Sequence, residues 1–71
     1  KISNGKGYVS VFSLTTESVG VNLEGLKYPL KDYTMSNSYP IGVNNEFTGK
    51  DAKIKVANGT LLIHLPIDAT I

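Results

Sequence analysis

The chain predicts an all-β fold, a small antiparallel β-sandwich of about six or seven strands. Three observations carry this reading. Short runs rich in Val, Ile, Leu and Tyr alternate with polar residues along most of the chain. Gly, Asn, Asp, Pro and Ser interrupt these runs roughly every 8–12 residues, the spacing of a sandwich or barrel. No stretch carries a convincing helical stripe behind a capping residue. The 71 residues make one small domain, 1–71, and the start at Lys1 rather than Met suggests a fragment of a larger protein. A chain of this size buries only about 60% of the surface that its unfolded form exposes.

The elements follow in order. Residues 1–7, KISNGKG, place an Asn-Gly turn at Asn4-Gly5 after Ile2, the end of a strand. Residues 7–14, GYVSVFSL, read as a strand with Val9 and Val11 on one face and Tyr8 and Phe12 on the other. One face therefore packs inside, and the other meets a second sheet or a neighbouring domain. Residues 15–18, TTES, make a polar turn. Residues 19–23, VGVNL, form a short strand that puts Val19, Val21 and Leu23 on one side, and Glu24-Gly25 turns the chain. In residues 26–35, LKYPLKDYTM, a loose helical stripe of Leu26, Leu30 and Tyr33 competes with Pro29. Proline lacks an N–H and drives Tyr28 toward extended geometry, which favours an edge or bulged strand. Residues 36–39 form a loop closed by Pro40. Residues 41–47, IGVNNEF, form a weaker strand with a bend at Asn44-Asn45, and 48–51, TGKD, turn the chain again.

The segment 52–65, AKIKVANGTLLIHL, predicts a closing hairpin. Asn-Gly is the preferred pair for a two-residue type I′ turn, in which both central residues need φ > 0. With Asn58-Gly59 at the tip, Ala57 faces Thr60, Val56 faces Leu61, Lys55 faces Leu62, Ile54 faces Ile63, Lys53 faces His64 and Ala52 faces Leu65. Alternate pairs are apolar on both strands, and a slip of one residue would send Ile54 and Val56 to water. The expected core sets Ile54, Val56, Leu61, Ile63 and Leu65 against Val9, Val11, Val19, Val21 and Leu23. Pro66 ends the hairpin, and 67–71 form a last short edge.

Composition excludes several functions. The net charge is +1 from seven Lys and six acids, with no Arg. Without Arg, the fork that grips guanine and phosphate, and without a basic block, nucleic acid is not an expected partner. Neither a polybasic patch nor a run of roughly 20 apolar residues marks a membrane partner. Cys is absent, which leaves cytoplasmic and extracellular bacterial settings both open.

The chain also carries little that could catalyse. His64 is the single histidine, and no Asp, Glu or second His stands at a recognisable spacing from it. The acids Glu17, Glu24, Asp32, Glu46, Asp51 and Asp68 are scattered, outside any calcium-loop pattern. Gly5 and Gly7 make only a GxG. We expect no catalytic residue, no metal site and no cofactor. Three loop-flanking tyrosines, Tyr28, Tyr33 and Tyr39, are the candidate carbohydrate contacts, since exposed rings stack on sugars. Asn58-Gly59-Thr60 is also a glycosylation sequon, although the turn already accounts for its first two residues.

One resemblance goes further. The segment 48–71 runs Thr48-Gly49, a strand, Asn58-Gly59-Thr60-Leu61, then Ile63, Leu65-Pro66 and a final apolar strand ending at Ala69 and Ile71. It resembles the closing hairpin of the all-β C-terminal domain of α-amylase-family glycoside hydrolases, and similar endings occur in β-domains of other barrel glycosidases. Ile67-Asp68 depart from the Pro, aromatic or small residue usual there, and 26–45 carry no motif of the family. The resemblance implies a non-catalytic accessory domain, not an enzyme by itself. It would pack on the catalytic domain of the same polypeptide and stabilise it, with polysaccharide as a further partner. The alternatives are an Ig-like or adhesion-type module of a bacterial surface protein, or a weak carbohydrate-binding module.

Overall fold

The computed structural model describes residues 1–3, 5–37 and 43–71. It is all-β, with six strands in two antiparallel three-stranded sheets and no helix among the described residues. In chain order the strands are β1 (Tyr8–Ser13), β2 (Glu17–Glu24), β3 (Leu30–Ser36), β4 (Val43–Glu46), β5 (Lys53–Lys55) and β6 (Leu61–His64). One sheet has the order β4-β1-β6 and the other β3-β2-β5. The buried apolar residues Ile2, Val9, Val11, Val21, Leu23, Leu26, Met35, Phe47 and Ala52 form the core.

Strand β1 follows its alternation. Val9 and Val11 are buried, while Tyr8 on the opposite face is 74% exposed. Strand β2 does not. Val21 and Leu23 are fully buried, but Val19 is 44% exposed. Gly20 has φ +69°, and the β2–β3 register shifts between Ser18 and Val21. A β-bulge there reverses the phase of the strand, so Val19 and Val21 face opposite ways despite their spacing. The expected core partner Val19 is thereby corrected to a surface residue.

Strand β3 is an edge strand that starts just after Pro29, as the ring demands, and it carries a second irregularity. Asp32 sits at φ +51°, a left-handed conformation that Asp tolerates better than most residues. Its N–H donates to Asn22 Oδ1 at 3.0 Å, and Asn22 Nδ2 donates to Gly20 O at 3.0 Å. One asparagine thus ties the two irregular points together.

The closing hairpin is the main correction. Strands β5 and β6 do not pair with each other. Strand β5 pairs with β2, Leu23 opposite Ile54, and β6 pairs with β1, Val11 opposite Ile63. The chain crosses from one sheet to the other through 56–60. Of the Asn58-Gly59 pair only Gly59 has positive φ, +116°, so a type I′ turn, which needs both, is not formed. Val19 takes the hydrogen bonds instead: its N–H donates to Asn58 O at 2.8 Å, and its carbonyl accepts from Asn58 N at 3.1 Å and from Ala57 N at 3.0 Å. The apolar alternation of both segments still serves the core. Ile54, Val56, Leu61, Ile63 and Leu65 are half-buried against it, with Ile54 and Ile63 arriving from opposite sheets.

The termini close one end. Ile2 bridges Ala52, and Ser3 bridges Thr70. The last edge expected over 67–71 is reduced to that bridge, and Ile67 and Ile71 are exposed. The expected Asn4-Gly5 turn and the loop and strand start over 38–42 include residues outside the described ones.

Candidate functional site

Strand β4 is short and polar, and its alternation puts one asparagine on each side. Asn44 lies opposite Ser10, whose hydroxyl donates to Asn44 Oδ1 at 2.9 Å on the exposed face. Asn45 lies opposite Val9 and is 1% exposed. An amide buried that deeply must find partners, since an unpaired one costs on the order of 1–3 kcal/mol. Asn45 Oδ1 accepts from the N–H of Tyr28 and from that of Glu46, each at 2.9 Å, and Nδ2 donates to Tyr28 O at 2.6 Å. Neither asparagine makes the bend expected there; both belong to the strand.

These bonds dock the β2–β3 connection onto β4. The N–H of Lys27 donates to Glu46 O at 2.9 Å, Leu26 bridges Phe47, and Thr48 Oγ1 donates to Gly25 O at 2.9 Å. Gly25 has φ +77°, and a Cβ there would collide with the carbonyl of Asp51. The connection is therefore held from Gly25 to Tyr28, and it presents Tyr28 outward, 56% exposed. Lys27 Nζ stands 5.5 Å from the Tyr28 ring centroid and 3.6 Å from Glu46 Oε1. The Tyr28 phenol and then the Glu46 carboxylate hold the Lys27 ammonium above the usual lysine range.

An open groove runs beside this connection, lined by Asn22, Leu23, Glu24, Pro29, Leu30 and Lys31. It joins a carboxylate and an ammonium to a small apolar floor. Another groove, lined by Gly5, Lys6, Gly49, Lys50, Asp51 and Asp68, is likewise open to solvent.

The structure places the other sequence candidates as follows. Tyr33 lies on β3 opposite Val21 and is 47% exposed. It stands on a different segment from Tyr28. Tyr39 lies outside the described residues. His64 is exposed on β6, opposite Ser10 rather than Lys53. Among the described residues no group of three His, Cys, Asp or Glu could hold a metal ion. Sequence reasoning missed Asn45 and Asn22. The available signal was an asparagine at an inward phase of a strand, where that residue type is depleted and so needs a reason.

A family model described as thiamin pyrophosphokinase, vitamin B1 binding domain, matches residues 1–61. No curated protein and no solved structure matches the chain. The family match overturns the resemblance to the C-terminal domain of α-amylase-family glycoside hydrolases, and with it the polysaccharide partner and the glycosidase barrel. It equally displaces the adhesion-type and carbohydrate-binding alternatives. The features behind the resemblance, an Asn-Gly pair flanked by alternating strands, are demands of β structure, and here the pair is not even a hairpin tip. The relation to an enzyme survives in coarser form, as a binding domain described for a pyrophosphokinase.

Proposed function

The chain belongs to the vitamin B1 binding domain family of thiamin pyrophosphokinases, and from that premise we propose that it binds thiamin on the face around Tyr28. The family match over residues 1–61 is the observation that carries this reading. Thiamin is an aminopyrimidine joined to a cationic thiazolium, two flat rings of which one is charged. A tyrosine ring offers a flat partner worth roughly 0.5–1.5 kcal/mol beyond its buried area, and a further increment to a cation over its face. Tyr28 is exposed yet fixed through Asn45, so stacking on it orders little that is not already ordered. Glu24, in the adjacent groove, supplies negative charge for the thiazolium, whereas Glu46 is already paired with Lys27. Tyr33 is a second ring of the same kind, and Tyr39 a third sequence candidate.

The groove is open, so on this reading thiamin lies against a wall that another part of the protein closes. The chain is then one domain of a larger enzyme, and the groups that transfer the diphosphoryl unit belong to a separate catalytic domain. Titration calorimetry of the whole protein with thiamin tests the proposal. Thiamin should bind, Tyr28→Ala should weaken binding about tenfold, equivalent to about 1.4 kcal/mol, and malto-oligosaccharide should not bind. Absence of thiamin binding overturns the function; full affinity in Tyr28→Ala overturns the face.

A further inference from the structure

The fold demands glycine at position 59. Its φ is +116°, and an added Cβ would come within 2.6 Å of Ser18 Oγ, 2.8 Å of Ser18 Cα and 2.9 Å of Glu17 O. The residue before it is Asn58, exposed at the crossover between the sheets. Asparagine followed by glycine is chemically labile, because no side chain on the second residue shields its backbone nitrogen. We propose that Asn58 is a self-modification site, which deamidates through a cyclic imide and is slowed in the native fold by its bridge to Val19.

The step balances without any oxidant or cofactor. The Gly59 backbone nitrogen loses its proton and attacks the Asn58 side-chain carbonyl carbon. A carbon–nitrogen bond forms, the bond to the side-chain nitrogen breaks, and ammonia leaves with the proton. Water then opens the five-membered imide at one of its two carbonyls, giving aspartate or isoaspartate. Ring closure must bring the Gly59 nitrogen onto the Asn58 side-chain carbon, which requires freedom to rotate at Asn58. Rotation is opposed from both sides, because Val19 N–H holds Asn58 O at 2.8 Å and Val19 O holds Asn58 N–H at 3.1 Å. Just beyond, Thr60 O accepts from Leu14 N at 2.8 Å and from Ser18 Oγ at 3.3 Å. The reaction therefore proceeds through local opening of the crossover.

Isoaspartate routes the main chain through one extra carbon. With Val19 holding one side of Gly59 and Leu14 the other, the crossover has no slack to absorb that carbon, so the bridge does not re-form and the opened state is trapped. Aspartate adds only a charge on an exposed side chain, so the two products differ in their effect on the fold.

The test is incubation of the purified protein at mildly alkaline pH, native and in urea, with peptide mapping that separates Asn58 from Asn4 and scores isoaspartate by its methyltransferase. We expect product at 58 in both samples, roughly tenfold slower or more in the native one, since protection by an opening equilibrium multiplies into the rate. No product at 58 in urea overturns the site; equal rates overturn the gate. The isoaspartyl form, separated by ion exchange, should unfold at lower urea than Asn58→Asp. Coincident midpoints overturn the trapped opening.

Discussion

Asn45 grips the peptide backbone of Tyr28 at both its N–H and its carbonyl, 2.9 and 2.6 Å away, from a fully buried position one strand over. The amide side chain behaves as a missing strand residue for the connection that carries the candidate thiamin contact. We expect Asn45→Ala to orphan three backbone groups at once and to cost about 3 kcal/mol or more, at roughly 1–3 kcal/mol for each group left dry. Asn45→Asp keeps the acceptor but sets a buried carboxylate oxygen against Tyr28 O in place of the donor, so it should cost at least as much. Urea denaturation gives both values, and an alanine variant as stable as the wild type would remove the clamp from the account.

Two glycines separate sterics from backbone conformation. Gly49 and Gly59 both have positive φ, +90° and +116°, but a Cβ on Gly49 meets nothing within 4 Å, whereas one on Gly59 meets Ser18. Gly49→Ala should cost about 1 kcal/mol, the conformational penalty alone. Gly59→Ala should cost several times as much or prevent folding. Thermal melts of the two variants decide it.

Core truncations should scale with burial, whatever the hydrophobicity of the residue. Leu23 is fully buried, so Leu23→Ala should cost roughly 2–5 kcal/mol. Ile63 is half-buried on an edge strand, and Ile63→Ala should cost roughly half of that. Leu62, 50% exposed on the other face of β6, should tolerate Ser with little change. Chemical denaturation of the three variants should return that order.

The Lys27 interactions carry a definite sign with pH. The folded value is raised above the ordinary one by Tyr28 and Glu46. The stabilising contribution is therefore complete below the ordinary lysine pKa and is lost only as pH rises through the raised one. Lys27→Met and wild type should show parallel stability profiles between about pH 5 and 9 and diverge on the alkaline limb. Divergence near neutrality would mean that another group is responsible.

Much of the architecture was legible in residue order. The alternation of β1, the rejection of a helix at Pro29 and the apolar phases of Ile54 and Ile63 are local facts, and local facts are what periodicity reports. The partner of each strand is not local. Asn58-Gly59 satisfies hairpin chemistry equally well whether 52–57 and 60–65 pair or part, and the deciding bonds come from Val19, far back in the chain. The bulge at Gly20 was hidden for a similar reason. Its glycine is needed where Ala57 packs, at 2.6 Å from a would-be Cβ. The candidate site was half visible. The exposed Tyr28 and Tyr33 stood out as rings near loops, but Asn45 reads as a bend residue until Val9 and Tyr28 are seen on either side of it.

Strand order also sets a schedule for synthesis. Only β2 and β3 pair as consecutive neighbours; β1 waits for β4 on one side and for β6 on the other. A chain emerging from the ribosome forms the β2–β3 ribbon early, while Val9 and Val11 have no strand partner until Val43–Glu46 is translated, and β1 lacks its second neighbour until Leu61–His64 follows. For most of its elongation the nascent domain therefore holds out a sticky first strand, and the last strand to arrive is the one that retires it from the reach of chaperones.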